Sequence, residues 1–180
     1  MKITNYKSLL DKVDKVVQQK DLDLSADEDL SIAIMNLISI EEHLFFTSQK
    51  TGKPQYLELL NEVRLMRTEL LKKIIKDYEG EVWCISKHLL AASMRVMEVG
   101  TKELKKGNKK EAWNLFEKSY KLYSLFWGIN LKIIPMTNDK LQMTNKNIEF
   151  INEKNEEKGK ESVFSKLGAL VQKAIDCCRE

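Results

Sequence analysis

Several groups of residues in this sequence carry side chains able to do chemistry. Glu41-Glu42-His43 sets two carboxylates and an imidazole in a row, and Cys84 stands four residues before His88. Arg64 and Arg67 are spaced to share a helix face, as are Trp113, Phe116, Tyr120, Tyr123 and Trp127. An inward carboxylate can hold a metal or a guanidinium. A thiol and an imidazole one helical turn apart can clip zinc, or act as nucleophile and base. Each possibility depends on which way the helices turn these groups.

At about 100° per residue, neighbours one and two apart point in different directions. Glu41-Glu42-His43 is therefore not a cluster. Glu41 falls at the middle of an apolar face made by Leu30, Ile34, Leu37, Ile38, Leu44 and Phe45. His43 falls on the polar side with Asp29, Asn36, Ser39, Thr47 and Lys50, and reads as a surface histidine. The next segment repeats the anomaly with the opposite charge. Arg67 sits near the centre of a face carrying Tyr56, Leu60, Val63, Leu70, Leu71 and Ile74, with Arg64 at its edge. A buried carboxylate must be paired or protonated, and a guanidinium stays charged. Across the intervening turn the two levels differ by roughly 7 Å at 1.5 Å per residue, within reach of an arginine stem. The spacing predicts a core pair, Glu41 with Arg67, for which Arg64 or Arg95 can substitute. Such a pair either fixes helix register or anchors a ligand in a pocket lined by Glu41, Arg64, Arg67 and Arg95.

Metal and nucleophile chemistry find less. A di-iron bundle needs two Glu-x-x-His pairs, but Ile40 and Ile85 stand three residues before the two histidines. Cys84 and His88 are two candidate metal ligands that lack a third and fourth unless Cys177, Cys178 or a carboxylate completes them. As a catalytic couple they lack an orienting group and oxyanion donors. No Gly-x-Gly phosphate loop occurs. The expectation is no catalytic residue, no cofactor and a non-enzymatic role. Lys102, Lys105, Lys106, Lys109 and Lys110 crowd one turn against Glu103 and Glu111. They read as solvated helix ends that complement the dipole, or as a weak phosphate-backbone site. The net charge of +3, from 30 Lys and Arg against 27 Asp and Glu, is too small to argue nucleic acid by itself.

The elements that must position these groups are helices. The 180 residues are 43% hydrophobic and 32% charged, with 7 Gly and 2 Pro. So few breakers exclude an all-β sandwich, and the apolar share excludes a wholly disordered chain. Helical periodicity runs over 27–49, 54–78, 81–106 and 109–133, separated by Thr51-Gly52-Lys53-Pro54, Gly80 and Gly107-Asn108. Ser25 with Glu28, and Asn108 with Glu111, are spaced as capping boxes. Long helices with short links predict an all-α, up-and-down four-helix bundle over 1–135, with an extra N-terminal helix over 6–19. Residues 136–160 are Asn-, Lys- and Glu-rich and read as a flexible linker. A tethered C-terminal amphipathic helix over 161–180 carries Phe164, Leu167, Val171 and Cys178 on one stripe.

The third and fourth helices are apolar around more of their circumference than one bundle covers. Either the terminal helices pack on them or another subunit does, so the aromatics Trp113, Phe116, Tyr120, Tyr123 and Trp127 read as core or as the candidate interface of a homo-oligomer or a protein partner. Met1 to Tyr6 holds no apolar stretch, and no apolar run approaches the roughly 20 residues of a membrane span. Three cysteines without framework spacing suit a reducing compartment, so the expected location is the cytoplasm, with no membrane. The composite expectation is a helical interaction module docking through the third and fourth helices. A ligand or metal pocket around Glu41 and Arg67 is the alternative, and a nucleic-acid accessory role through Lys102–Lys110 a further one.

Overall fold

The structure is a computed structural model, and it describes residues 11, 15, 24–76, 80–134, 167–169 and 171. It is all-α: α1 (Ser25–Thr51), α2 (Gln55–Ile74), α3 (Glu81–Lys105) and α4 (Lys109–Asn130) follow in order, with no strand among the described residues. The N-terminal helix expected over 6–19, the linker over 136–160 and most of the last helix lie outside the described residues. Residues 167–169 and 171 are helical.

Glycine chemistry ends the helices where the pattern breaks. Gly52 takes the left-handed conformation (φ 65°) and its N–H donates to Ser48 O at 2.8 Å, closing α1. Gly107 (φ 84°) does the same service after α3. The capping boxes do not form as spaced. Leu24 occupies the cap position of α1, so the helix starts two residues before Asp27. Asn108 precedes α4 but turns its amide to Glu103 Oε2 at 2.7 Å, leaving the helix end without a side-chain cap. The second helix stops at Ile74, short of Tyr78, because Ile75 is extended (φ −90°, ψ 107°) and buried in the core. The fourth stops at Asn130 rather than Ile133. Lys132 adopts a positive φ of 57°, and beyond it Ile133 is buried in the core.

Packing divides the chain into two antiparallel hairpins, α1–α2 and α3–α4, with α1 against α3 joining them. Each hairpin is built on a seven-residue repeat of buried positions. In the first, Ile34, Glu41 and Ser48 of α1 oppose Ile74, Arg67 and Leu60 of α2. In the second, Ser86, Ser93 and Gly100 of α3 oppose Phe126, Ser119 and Ala112 of α4. Strict seven-residue spacing is the geometry of a coiled-coil seam. In both hairpins the middle layer is polar. Small residues let α3 and α4 approach closely: a Cβ built on Gly100 would lie 2.7 Å from the Phe116 ring.

The hairpins share a core at one end only. Leu24, Ile34, Leu71, Ile75, Leu90, Phe126, Trp127 and Ile133 belong to it, and Leu167 and Val171 of the C-terminal segment pack there too. Toward the α1–α2 and α3–α4 turns, the buried residues are the seam positions Glu41, Ser48, Leu60, Arg67, Ser93, Gly100, Ala112 and Ser119. Each hairpin there is covered by its own second helix and little else. By length and composition α1 is the described helix apolar enough to cross a membrane, although no unbroken apolar run marks it in the sequence. Only 22% of its apolar stretch is buried within the chain.

Candidate functional site

The polar middle layer of the first hairpin brings the two lone inward charges together. Arg67 Nε donates to Glu41 Oε1 at 2.7 Å, and Arg67 Nη2 to Oε2 at 3.3 Å. Arg64 Nε donates to the same Oε2 at 2.9 Å. Glu41 and Arg67 are buried, whereas the Arg64 side chain is 54% exposed. Burial would push the Glu41 carboxyl up, but hydrogen bonds from Arg67 and Arg64 and their positive charge outweigh it. The carboxyl therefore sits below its ordinary value of 4.5. One carboxylate faces two guanidiniums, so the layer keeps an excess positive charge. Arg95 does not substitute in this layer. Its Nη2 donates to Glu42 Oε2 instead and ties α3 to α1.

Beside this layer, α1, α2 and α3 enclose a cleft of about 610 Å³. Ile38, Phe45, Leu60 and Trp83 line it together with Glu41, Glu42, Arg64, Arg67, Lys87 and His88. Trp83 and Lys87 escape a reading of single helices, because only the α1–α3 contact brings them to the Glu41 layer. The lining is about half apolar and half charged, and charged groups that converge beside apolar walls can hold the polar head of a small molecule. Cys84 and His88 are both exposed, one turn apart on α3. Among the described residues no group of three metal-ligating side chains exists to complete a metal site with them. Cys177 and Cys178 lie outside the described residues.

The five aromatics of α4 part company along the helix. Trp127 is 1% exposed and Phe126 lies edge-on to it at 5.1 Å between ring centroids. Trp127 therefore belongs to the shared core and offers no docking surface within this chain; its indole Nε1 has no hydrogen-bond partner among the described residues. Tyr123 is half-buried beneath α1, its hydroxyl sharing a hydrogen bond with Ser31 Oγ at 2.8 Å. Burial pushes that phenol up. Phe116 lies over Gly100 inside the α3–α4 seam. The two that face outward are Trp113, 73% exposed, and Tyr120, whose hydroxyl donates to Gly168 O at 2.8 Å. The reason is the one-ended core, which wraps the C-terminal half of α4 and leaves the N-terminal half bare.

Around the α3–α4 turn Lys102, Lys105, Lys106, Lys109 and Lys110 are all exposed. Lys106 Nζ donates to Glu103 Oε1 at 2.6 Å. Hydrogen bonds from Asn108 and Lys106 hold the Glu103 carboxyl low. No protein-family model, curated protein or solved structure matches this chain.

Proposed function

We propose that the chain is a non-enzymatic helical interaction module of the cytoplasm. In this reading its hairpins are the core of an up-and-down four-helix bundle with an added N-terminal helix and a tethered C-terminal amphipathic helix. The module docks a protein partner, or a second copy, through the α3–α4 surface. The observation that carries the reading is Trp113, a tryptophan left 73% exposed on the N-terminal half of α4. Large aromatics on a bare helix face are the usual anchors of protein interfaces. A photo-crosslinking residue at position 113 tests it in cells, with position 118 on the polar band of α4 as the control. Discrete adducts from 113 and none from 118 support the reading. Equal adducts from both positions, or none from either, defeat it.

A second reading is favoured by the cleft beside Glu41. Its apolar wall residues and its excess of one positive charge, Arg64, Arg67 and Lys87 over Glu41 and Glu42, suit a small ligand with an acidic head and an apolar body. Calorimetry with dodecanoate tests it. Saturable binding that Arg64→Gln weakens supports the pocket; heat indistinguishable from dilution removes it.

A further inference from the structure

The carboxylates that line the cleft beside Glu41 are committed, and its cations are not. Both oxygens of Glu41 accept from Arg64 and Arg67. Glu42 accepts from Arg95, which stands outside the lining. Arg64 uses only its Nε on Glu41, and its two Nη groups make no hydrogen bond among the described residues. Lys87, half-buried on α3, makes no hydrogen bond or ion pair among the described residues. A lone lysine that reaches water marks nothing. Here it shares a cleft with a half-free guanidinium on a different helix, and Arg64, Arg67, Lys87 and Arg95 together outnumber Glu41 and Glu42 by two charges. The apolar wall is open as well. Phe45 is 46% exposed and lines the cleft with Ile38, Leu60 and Trp83.

We propose that the cleft binds a phosphate monoester with an apolar body, its head bridging Arg64 and Lys87 and its body lying along Phe45 and Trp83. A carboxylate answers one of the two surplus charges. A phosphate monoester carries close to two negative charges at neutral pH and answers both from a single centre. Its three terminal oxygens accept from the planar fork of a guanidinium and from an ammonium at once. Arg67 is not a ligand group in this scheme. It is buried and committed to Glu41, and it holds that carboxylate beside Arg64 so that the Nη groups of Arg64 stay free. The volume of about 610 Å³ is in the range that takes a head and a body of this kind. The inference rests on the reading of the cleft as a small-molecule site and narrows it to one head group.

Calorimetric titration of the full chain with dodecyl phosphate and dodecanoate tests it, each probe kept below its micelle concentration and the buffer at about pH 8, above the second ionisation of phosphate. Dodecyl phosphate binds roughly tenfold or more tighter than dodecanoate, the worth of a further charge-assisted hydrogen bond. Lys87→Gln brings the two probes within about twofold of each other, and Lys87→Arg restores the preference, a split that a merely structural lysine does not produce. Inorganic phosphate, which lacks the apolar body, competes only at a roughly 100-fold higher concentration. The comparison of probes on the wild type needs no variant to fold. Equal binding of the two probes overturns the proposal and leaves the cleft reading standing. So does a preference for phosphate that survives Lys87→Gln, or inorganic phosphate that competes as well as its dodecyl ester. Binding of neither probe removes the cleft reading and this inference with it.

Discussion

Glu41 is the residue on which the first hairpin turns. It gives both of its carboxylate oxygens to guanidiniums, and Arg67 has little access to water should that partner be removed. Glu41→Ala is therefore expected to cost about 3–5 kcal/mol in urea unfolding, because a buried cation is left without its anion. Replacing both members with leucine returns most of that loss, since the desolvation of both charges disappears with them. The same geometry sets a pH dependence. The folded carboxyl titrates below its ordinary 4.5, so its contribution is complete above that value and is lost as pH falls through the lowered one. Glu41→Gln flattens this acid limb of the stability profile. The pair is legible in the sequence because each charge stands alone on an otherwise apolar face. The role of Arg95 is not legible there. Its choice of Glu42 depends on the contact between α1 and α3, which no single helical wheel contains.

At the scale of the helix, the two hairpins solve one problem differently. The first centres its seam on an ion pair. The second uses Ser93 and Ser119, whose hydroxyls each donate to the other's carbonyl oxygen at 2.9 and 2.8 Å. Both devices satisfy buried polar groups and favour one register over its neighbours seven residues away. Close approach in the second hairpin depends on Gly100. Gly100→Ala pushes a methyl into the Phe116 ring and is expected to destabilise by about 1–3 kcal/mol, read as a lowered urea midpoint with unchanged slope. An unchanged midpoint would show that α3 and α4 part without cost. The existence and spans of the helices follow from periodicity and glycine. The small-residue seam is harder to see, because Ser86, Ser93, Gly100, Ala112 and Ser119 carry little hydrophobicity and their one signal is the interval of seven.

Across the whole molecule, burial is lopsided. All four helices meet at the end holding Trp127, Phe126 and Leu90, while the turn ends keep only their own seams. The breadth of the apolar faces on α3 and α4 is plain in the sequence. Which half is covered is not, since Trp113 and Trp127 differ only in where the other hairpin touches α4. The C-terminal segment adds to the covered end: Leu167 is fully buried, and a Cβ on Gly128 would approach its methyls at 3.1 Å. Leu167→Ala is expected to cost about 2–5 kcal/mol in thermal or urea unfolding, and a loss near zero would detach that segment from the fold.

What remains bare is the N-terminal half of α4, where Trp113 is 73% exposed. Photo-crosslinking from position 113 in cells, against position 118 on the polar band, tests the account most directly. Discrete adducts from 113 and none from 118 are the predicted result. Equal adducts from both positions, or from neither, would contradict it.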